Sequence, residues 1–89
     1  GLVFEGQYRF TIQQIAEFFE IDERTVKRYL SEYENELKNN GYEVLRGNRL
    51  KNFRLAVAEQ SASDIDVTSK ITQLGVFNFR AFLNLAMLL

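Results

Sequence analysis

The sequence predicts a small α+β domain in which two amphipathic helices, joined by a tight turn, precede a β-hairpin and an apolar C-terminal helix. Its 89 residues suffice for one small core, and its composition, 46% hydrophobic and 26% charged, is that of a globular chain. Apolar residues recur at helical spacing in two neighbouring segments, and residues around Gly47 alternate between polar and apolar.

The first helix is predicted from its start signal. Gln7–Phe10 alternates polar and aromatic residues, as a short strand does, and Thr11 follows as an N-cap with Gln14 three residues later in a capping box. The apolar residues after the cap then recur at helical spacing: Ile12, Ile15, Ala16 and Phe19. We therefore expect an amphipathic helix of about two turns.

A second helix is predicted from Asp22 to about Asn39. Asp22 is a favourable N-cap, and Asn39-Asn40-Gly41 supplies residues that tolerate the left-handed conformation of a helix end. One apolar stripe runs along the whole segment: Val26, Tyr29, Leu30, Tyr33 and Leu37.

The chain beyond Gly41 is predicted to form a β-hairpin, with Gly47-Asn48 as its turn between Tyr42–Arg46 and Leu50–Leu55. From Val44 to Ala58 it carries Arg46, Arg49, Lys51 and Arg54 and no acid. The small polar residues after Ala58 predict a boundary between a domain of residues 7–58 and a linker with a C-terminal helical segment, residues 59–89.

Two helices are predicted in that segment. The first would be capped by Ser63, carry Val67, Ile71 and Leu74, and end at Gly75. The second would begin near Asn78. The chain starts without Met and stops within an apolar run, so we expect it to be a fragment of a longer protein.

The segment Gln14–Leu30 (QIAEFFEIDERTVKRYL) resembles the helix-turn-helix DNA-binding family. Ala16 stands where the second helix crosses the first, and Ile21 is the apolar residue of the turn. The family usually has Gly in the turn, whereas this chain has Glu20, so we expect a turn that is wider or begins one residue later.

Two further segments extend the resemblance. A basic hairpin directly after the second helix resembles the wing of winged-helix proteins. Leu74–Asn84 is similar, though more weakly, to a stretch of phage antirepressor and virulence-associated RhuM-like proteins. The resemblance implies a winged-helix-like fold and binding of double-stranded DNA.

The residues opposite the apolar stripe are the predicted DNA contacts of the second helix. Arg24 and Arg28 suit guanine O6 and N7, while Lys27 and Thr25 suit phosphates, and Ser31 lies on the same face. Gln13 and Gln14, at the start of the first helix, and the four hairpin cations are further phosphate candidates. The alternative for Arg24, Lys27 and Arg28 is a solvated face with local ion pairs, such as Arg28 with Glu32.

Charge is distributed unevenly along the chain, although the net charge is only −1. Residues 1–23 carry one base against five acids, and residues 24–54 carry eight bases against four acids. This separation favours a basic binding face over a uniformly charged surface.

Other function classes find no support in the sequence. There is no His and no Cys, hence no thiolate or imidazole metal ligand and no Ser-His pair. We expect no enzymatic activity, no cofactor, no metal and no membrane span, and a cytoplasmic location.

The C-terminal helix leaves two alternatives open. It is apolar almost all round, so it must either complete the core in place of a helix missing before Thr11 or join two copies. The sequence slightly favours dimerisation through Phe79, Phe82, Leu83 and Ala86. The predicted function is sequence-specific duplex binding in a bacterial or phage regulator. The alternative is a protein-interaction module on the same scaffold.

Overall fold

A computed structural model describes residues 2–60 and 71–89 of the chain, in which helices pack on both faces of a four-stranded antiparallel sheet. The described residues contain four strands: β1 (Leu2–Phe4), β2 (Gln7–Thr11), β3 (Glu43–Arg46) and β4 (Gln73–Phe77). They also contain five helices: α1 (Ile12–Phe19), α2 (Glu23–Glu32), α3 (Glu34–Asn39), α4 (Gly47–Glu59) and α5 (Phe79–Leu88).

The four strands form one antiparallel sheet in the order β1-β2-β4-β3. Because neighbouring residues of a strand point to opposite faces, β4 contributes to two separate apolar clusters. Val76 packs with β1, Leu45 and α4 on one face, whereas Phe77 packs with α1, α2, α3 and α5 on the other. The sheet is therefore a central layer with α4 on one side and the remaining helices on the other.

The predicted strand at Gln7 and both predicted helix starts are confirmed. The Thr11 hydroxyl accepts from the Gln14 backbone N–H, and the Gln14 side chain accepts from the Thr11 N–H, which completes the capping box. Asp22 caps α2 through the Arg24 backbone N–H at 2.8 Å. The second helix is interrupted at Tyr33, where φ is −120°, yet Leu37 beyond the break remains buried on the same core.

The expectation of a wider or later turn between α1 and α2 is wrong. Glu20 itself takes the left-handed conformation, with φ 56° and ψ 46°, and the Ile21 N–H donates to the Ala16 carbonyl at 2.9 Å. The tight turn is kept because Ala16 and Val26 are buried where the two helices meet.

The predicted β-hairpin over Val44–Ala58 is wrong in its second half. β3 confirms the first strand, but the chain then forms α4 instead of turning back. The reason is the spacing of Leu50, Phe53 and Val57, which places all three on one helix face, buried against the sheet. The partner of β3 is β4, some 30 residues further along the chain.

The predicted helix ending at Gly75 is also wrong for the part that the structure describes, because Gln73–Phe77 is β4; residues 63–70 of that prediction lie outside the described residues. β4 is held by antiparallel pairing with strands on both sides, β2 and β3. Gly75 fits this position because the Tyr42 ring lies where a Cβ would stand, and that ring packs on Phe77 at 4.9 Å.

The predicted C-terminal helix is confirmed as α5, and Asn78 caps it by accepting the Ala81 N–H at 2.8 Å. Ala81 and Leu85 are fully buried beside Ile15 and Leu37, so α5 completes the core of its own chain. No helix in the described ranges is long and apolar enough to cross a membrane.

Candidate nucleic-acid interface

The second helix presents one polar face to solvent. Val26 and Leu30 are buried and fix the orientation of α2 against α1. The opposite side of α2 carries exposed residues in its first three turns: Arg24, Lys27, Arg28 and Ser31. Thr25 is half-buried beside the cap, and its backbone N–H donates to the Asp22 carbonyl at 2.9 Å. Four of the five predicted α2 contacts therefore share one exposed surface, which we call the α2 face.

The start of the α2 face is organised by the carboxylate of Asp22, for which the sequence left open helix capping, repulsion of phosphate and acceptance from a cytosine amino group. Asp22 Oδ1 accepts from the Arg24 backbone N–H and from Arg24 Nε at 3.3 Å, while Oδ2 accepts from Nη2 at 3.2 Å. The Arg24 guanidinium lowers the pKa of Asp22, and its backbone N–H adds to that effect.

Arg28 and Lys27 occupy different surroundings. The Arg28 guanidinium lies 5.4 Å from the centre of the Tyr29 ring and 4.0 Å from a Glu32 carboxylate oxygen, the local pair that the sequence predicts. Such an exposed pair is worth only about 0.3–0.5 kcal/mol, so Arg28 can exchange it for another acceptor at little cost. Within residues 2–60 and 71–89, Lys27 forms no ion pair.

The two glutamines at the start of α1 are half-buried. The Gln14 side chain is engaged in the capping box, and Gln13 Nε2 lies 3.4 Å from a Glu17 carboxylate oxygen. The structure therefore places both at the beginning of the helix, as predicted, with intramolecular partners that a phosphate would have to replace.

Acidic side chains line an open depression of about 410 Å³ beside the turn between α1 and α2. Its acids are Glu17, Glu20, Asp22 and Glu23. They lie next to the cationic start of the α2 face, so the field at this end of the molecule changes sign over a short distance. A polyanion approaching this end is repelled unless it lies on the cations.

The four cations of the expected wing do not form one surface. Arg46 lies on β3 with its side chain directed, like that of Tyr42, toward the sheet face that carries α2, and its Nε donates to Gln73 Oε1 at 3.2 Å. Arg49, Lys51 and Arg54 lie on α4, which packs on the opposite face of the sheet.

These α4 cations differ in their partners. Arg49 pairs with Glu43 at 2.7 Å and with Glu5, and both pairs raise its pKa. Arg54 Nη2 donates to the Ile71 carbonyl at 3.0 Å. Lys51 is exposed and forms no ion pair among the residues that the structure describes.

A buried arginine is the main electrostatic feature that the sequence did not predict. Arg9 on β2 is only 3% exposed, and its guanidinium pairs with Glu43 at 2.7 Å and with Glu5 at 3.6 Å. Together with Arg49 these residues form a network of alternating charge, which we call the Arg9 network. No sequence signal indicated this burial, because the alternation of Gln7–Phe10 places Arg9 opposite the aromatic Tyr8 and Phe10, whereas Tyr8 is 62% exposed in the structure.

Apolar side chains remain exposed on the side of the molecule formed by α1 and α5. Phe79, Leu83 and Met87 recur every four residues along α5 and are 57%, 46% and 87% exposed. Phe18 on α1 and Phe79 both contact the half-buried Phe82 ring, at 5.5 and 6.2 Å between centres. Of the residues predicted for dimerisation, Phe79 and Leu83 are exposed, while Phe82 and Ala86 are half-buried.

Within the described ranges, no group of three or more acidic side chains is arranged to hold a metal ion. No protein-family model, no curated protein and no solved structure gives a significant match to this chain.

Proposed function

We propose that this chain binds double-stranded DNA with sequence preference, as the DNA-binding part of a bacterial or phage transcriptional regulator. The observation that carries this proposal is the α2 face, where Arg24, Lys27 and Arg28 are exposed on a capped helix held by its apolar side. The major groove accommodates an α-helix, and the N-terminal residues of a recognition helix contact base edges.

The strands next to α2 support a winged-helix-like interpretation. β3 and β4 follow the two helices as an antiparallel pair beside β2, with α4 in the connection where a winged helix has a short loop. Arg46 lies on the α2 side of this pair, so we assign it to a phosphate. Arg49 and Arg54 already have intramolecular partners, and Lys51 lies on the far face, so the proposal does not depend on these three.

The acids beside the turn between α1 and α2 affect the expected affinity for duplex DNA. A net charge of −1 and four acids next to the α2 face make binding to arbitrary duplex weak. We therefore expect modest non-specific affinity that falls steeply with salt, and a larger contribution from base contacts than in a strongly basic domain.

The test uses a random 24-base-pair duplex library, from which bound sequences are selected, followed by titration of the selected duplex at several salt concentrations. Lys27→Ala is expected to weaken binding to all sequences and to reduce the slope of log K against log salt by about 1. Arg28→Ala is expected to relax the base preference at one position, since a bidentate contact with guanine discriminates by about 1–3 kcal/mol.

Lys38→Ala is the matched control. Lys38 lies on α3 in an exposed pair with Glu34, outside the α2 face, so its removal should leave affinity and salt slope unchanged. The proposal is wrong if the wild-type chain binds no duplex at low salt, or if the Lys27 and Lys38 variants behave alike.

We propose as a second function that two copies associate through the exposed apolar residues of α1 and α5. Phe18 and Phe79 contact the Phe82 ring, and Leu83 is exposed on the same helix as Phe79 and Phe82. A two-fold pair of copies matches the symmetry of operator sites. Light scattering should give a dimer mass that Leu83→Glu reduces to that of a monomer. Leu55→Glu, at a comparably exposed site on α4, should not change the mass. A monomer at high concentration contradicts this second proposal.

A further inference from the structure

We infer that Asp22 is a positioning residue that presents Arg24 to a guanine, an inference that rests on the proposed function. The Arg24 side chain is 89% exposed, more than that of Asp22. Its guanidinium is nevertheless held in one orientation by both carboxylate oxygens of Asp22. Unlike the single 4.0 Å contact between Arg28 and Glu32, two donors of the Arg24 guanidinium meet both oxygens of one carboxylate, and this bidentate geometry sets the plane of the guanidinium even though an exposed pair adds little to folding stability.

The geometry of the pair decides which hydrogens remain available. Asp22 accepts from Nε and from Nη2, the side edge of the guanidinium. The end of the group, with N–H donors on Nη1 and Nη2, is directed away from the carboxylate. This planar pair of donors matches the O6 and N7 acceptors of guanine in the major groove.

The charge of Asp22 favours a base over a phosphate as the acceptor. A phosphate placed on Arg24 would lie close to the Asp22 carboxylate and to Glu23, and like charges repel. A guanine edge is uncharged and does not incur this repulsion. Asp22 therefore reduces the affinity of Arg24 for the DNA backbone while it holds the side chain ready for a base.

The variant Asp22→Asn separates the orientation of Arg24 and the repulsion of phosphate from the role of Asp22 as a helix cap. Asparagine is an equally good N-cap, so α2 should stay folded, as far-UV circular dichroism and Tm will show. Its amide nitrogen cannot accept from Arg24 Nη2. We expect Asp22→Asn to bind random duplex more tightly and to lose about tenfold of the discrimination at the guanine position. Arg24→Ala should lose the same discrimination, and the double variant should lose no more.

Glu23→Gln is the matched control, because it removes the same charge from the adjacent residue, whose carboxylate forms no ion pair with Arg24 in the part of the chain that the structure describes. It should raise affinity for random duplex by a similar factor and leave discrimination intact. Asp22→Ser, which keeps a cap but no charge, should reproduce Asp22→Asn. If the Asp22→Asn and Glu23→Gln variants prefer guanine over the other bases at that position equally strongly, the inference is wrong while the proposed function stands. Absence of duplex binding by the wild type overturns both.

Discussion

Glu20 is one of two non-glycine residues with a positive φ in residues 2–60 and 71–89, the other being Glu5, and it lies in the turn between α1 and α2. Its left-handed conformation costs a non-glycine residue about 1–2 kcal/mol, and it lies beside Glu17, Asp22 and Glu23. The turn nevertheless keeps its tight geometry, since Ile21 and Ala16 are joined across it by a 2.9 Å hydrogen bond. Tertiary packing of α1 on α2 thus outweighs an unfavourable residue.

Glu20→Gly is expected to stabilise the fold. Relief of the strain exceeds the extra backbone entropy of glycine in the unfolded chain by about 0.5–1 kcal/mol. Urea denaturation followed by far-UV circular dichroism measures the difference. Glu20→Ala removes the same charge but keeps the Cβ, and should give no such gain. An equal gain from both variants would assign the effect to charge repulsion and contradict the strain argument.

At the scale of elements, α4 is fastened to the sheet by the Arg9 network as well as by its apolar face. Glu43 bonds both Arg9 and Arg49, and Glu5 in the β1–β2 turn does the same. Arg9 itself is buried, so it depends on these two carboxylates for its charge compensation. The network therefore adds an electrostatic link, through Arg49, to the apolar contacts that hold α4 against the sheet.

Glu43→Gln is expected to destabilise the protein at pH 7 by about 1–3 kcal/mol, because buried Arg9 loses a charged acceptor. Glu34→Gln, which removes one side of the exposed pair with Lys38, should cost about 0.5 kcal/mol or less. Thermal unfolding of both variants beside the wild type makes the comparison. Equal losses would show that the Arg9 network contributes no more than a surface pair.

The same network predicts how stability varies with pH. Arg49, and then Arg9, lower the pKa of Glu43 in the folded state, and Arg49 lowers that of Glu5. Groups whose folded pKa is lowered stabilise the fold above their unfolded pKa of 4.5 and lose that contribution as pH falls through the folded value. Wild-type stability should therefore fall below about pH 5. Glu43→Gln should show a shallower fall, measured by urea midpoints from pH 7 to 3.

The elements that the sequence predicts correctly are those with local signals. Thr11, Asp22 and Asn78 act within one helical turn, so residue type and spacing suffice to identify their helices. Val26 and Leu30 likewise define the buried side of α2, and so its exposed face.

The elements that the sequence misplaces depend on distant partners. β4 is a strand because β2 and β3 pair with it, and its own five residues carry no signal that excludes a helix. In α4 the partial alternation of Leu50–Leu55 competes with the helical spacing of Leu50, Phe53 and Val57, and burial of these three residues against the sheet decides in favour of the helix. Because Leu50–Leu55 is predicted to be a strand, Arg49, Lys51 and Arg54 are predicted to lie on a hairpin beside α2, whereas they lie on α4.

At the scale of the molecule, β4 joins two apolar clusters that lie on opposite faces of the sheet. Val76 belongs to the α4 cluster and Phe77 to the cluster of α1, α2, α3 and α5. Neither cluster can lose β4 without exposing its own buried residues, and strands on both sides depend on it. The residues before and after the predicted boundary at Ala58 therefore share one sheet.

We accordingly expect one cooperative unfolding transition. A substitution that destabilises the α4 side of the sheet should lower the free energy of unfolding of the α2 side by the same amount. Phe53→Leu leaves a small cavity in the α4 cluster and should cost about 1–2 kcal/mol. Hydrogen exchange measured by mass spectrometry should then show the same loss of protection in the slowest-exchanging amides of α1 and α2 as in those of α4. Tyr29 and Tyr33 lie on the α2 side, so tyrosine fluorescence should give the same urea midpoint as circular dichroism. If α4 amides lost protection while those of α1 and α2 kept it, the two faces would be separate folding units, and the α2 face would not depend on α4 for its stability.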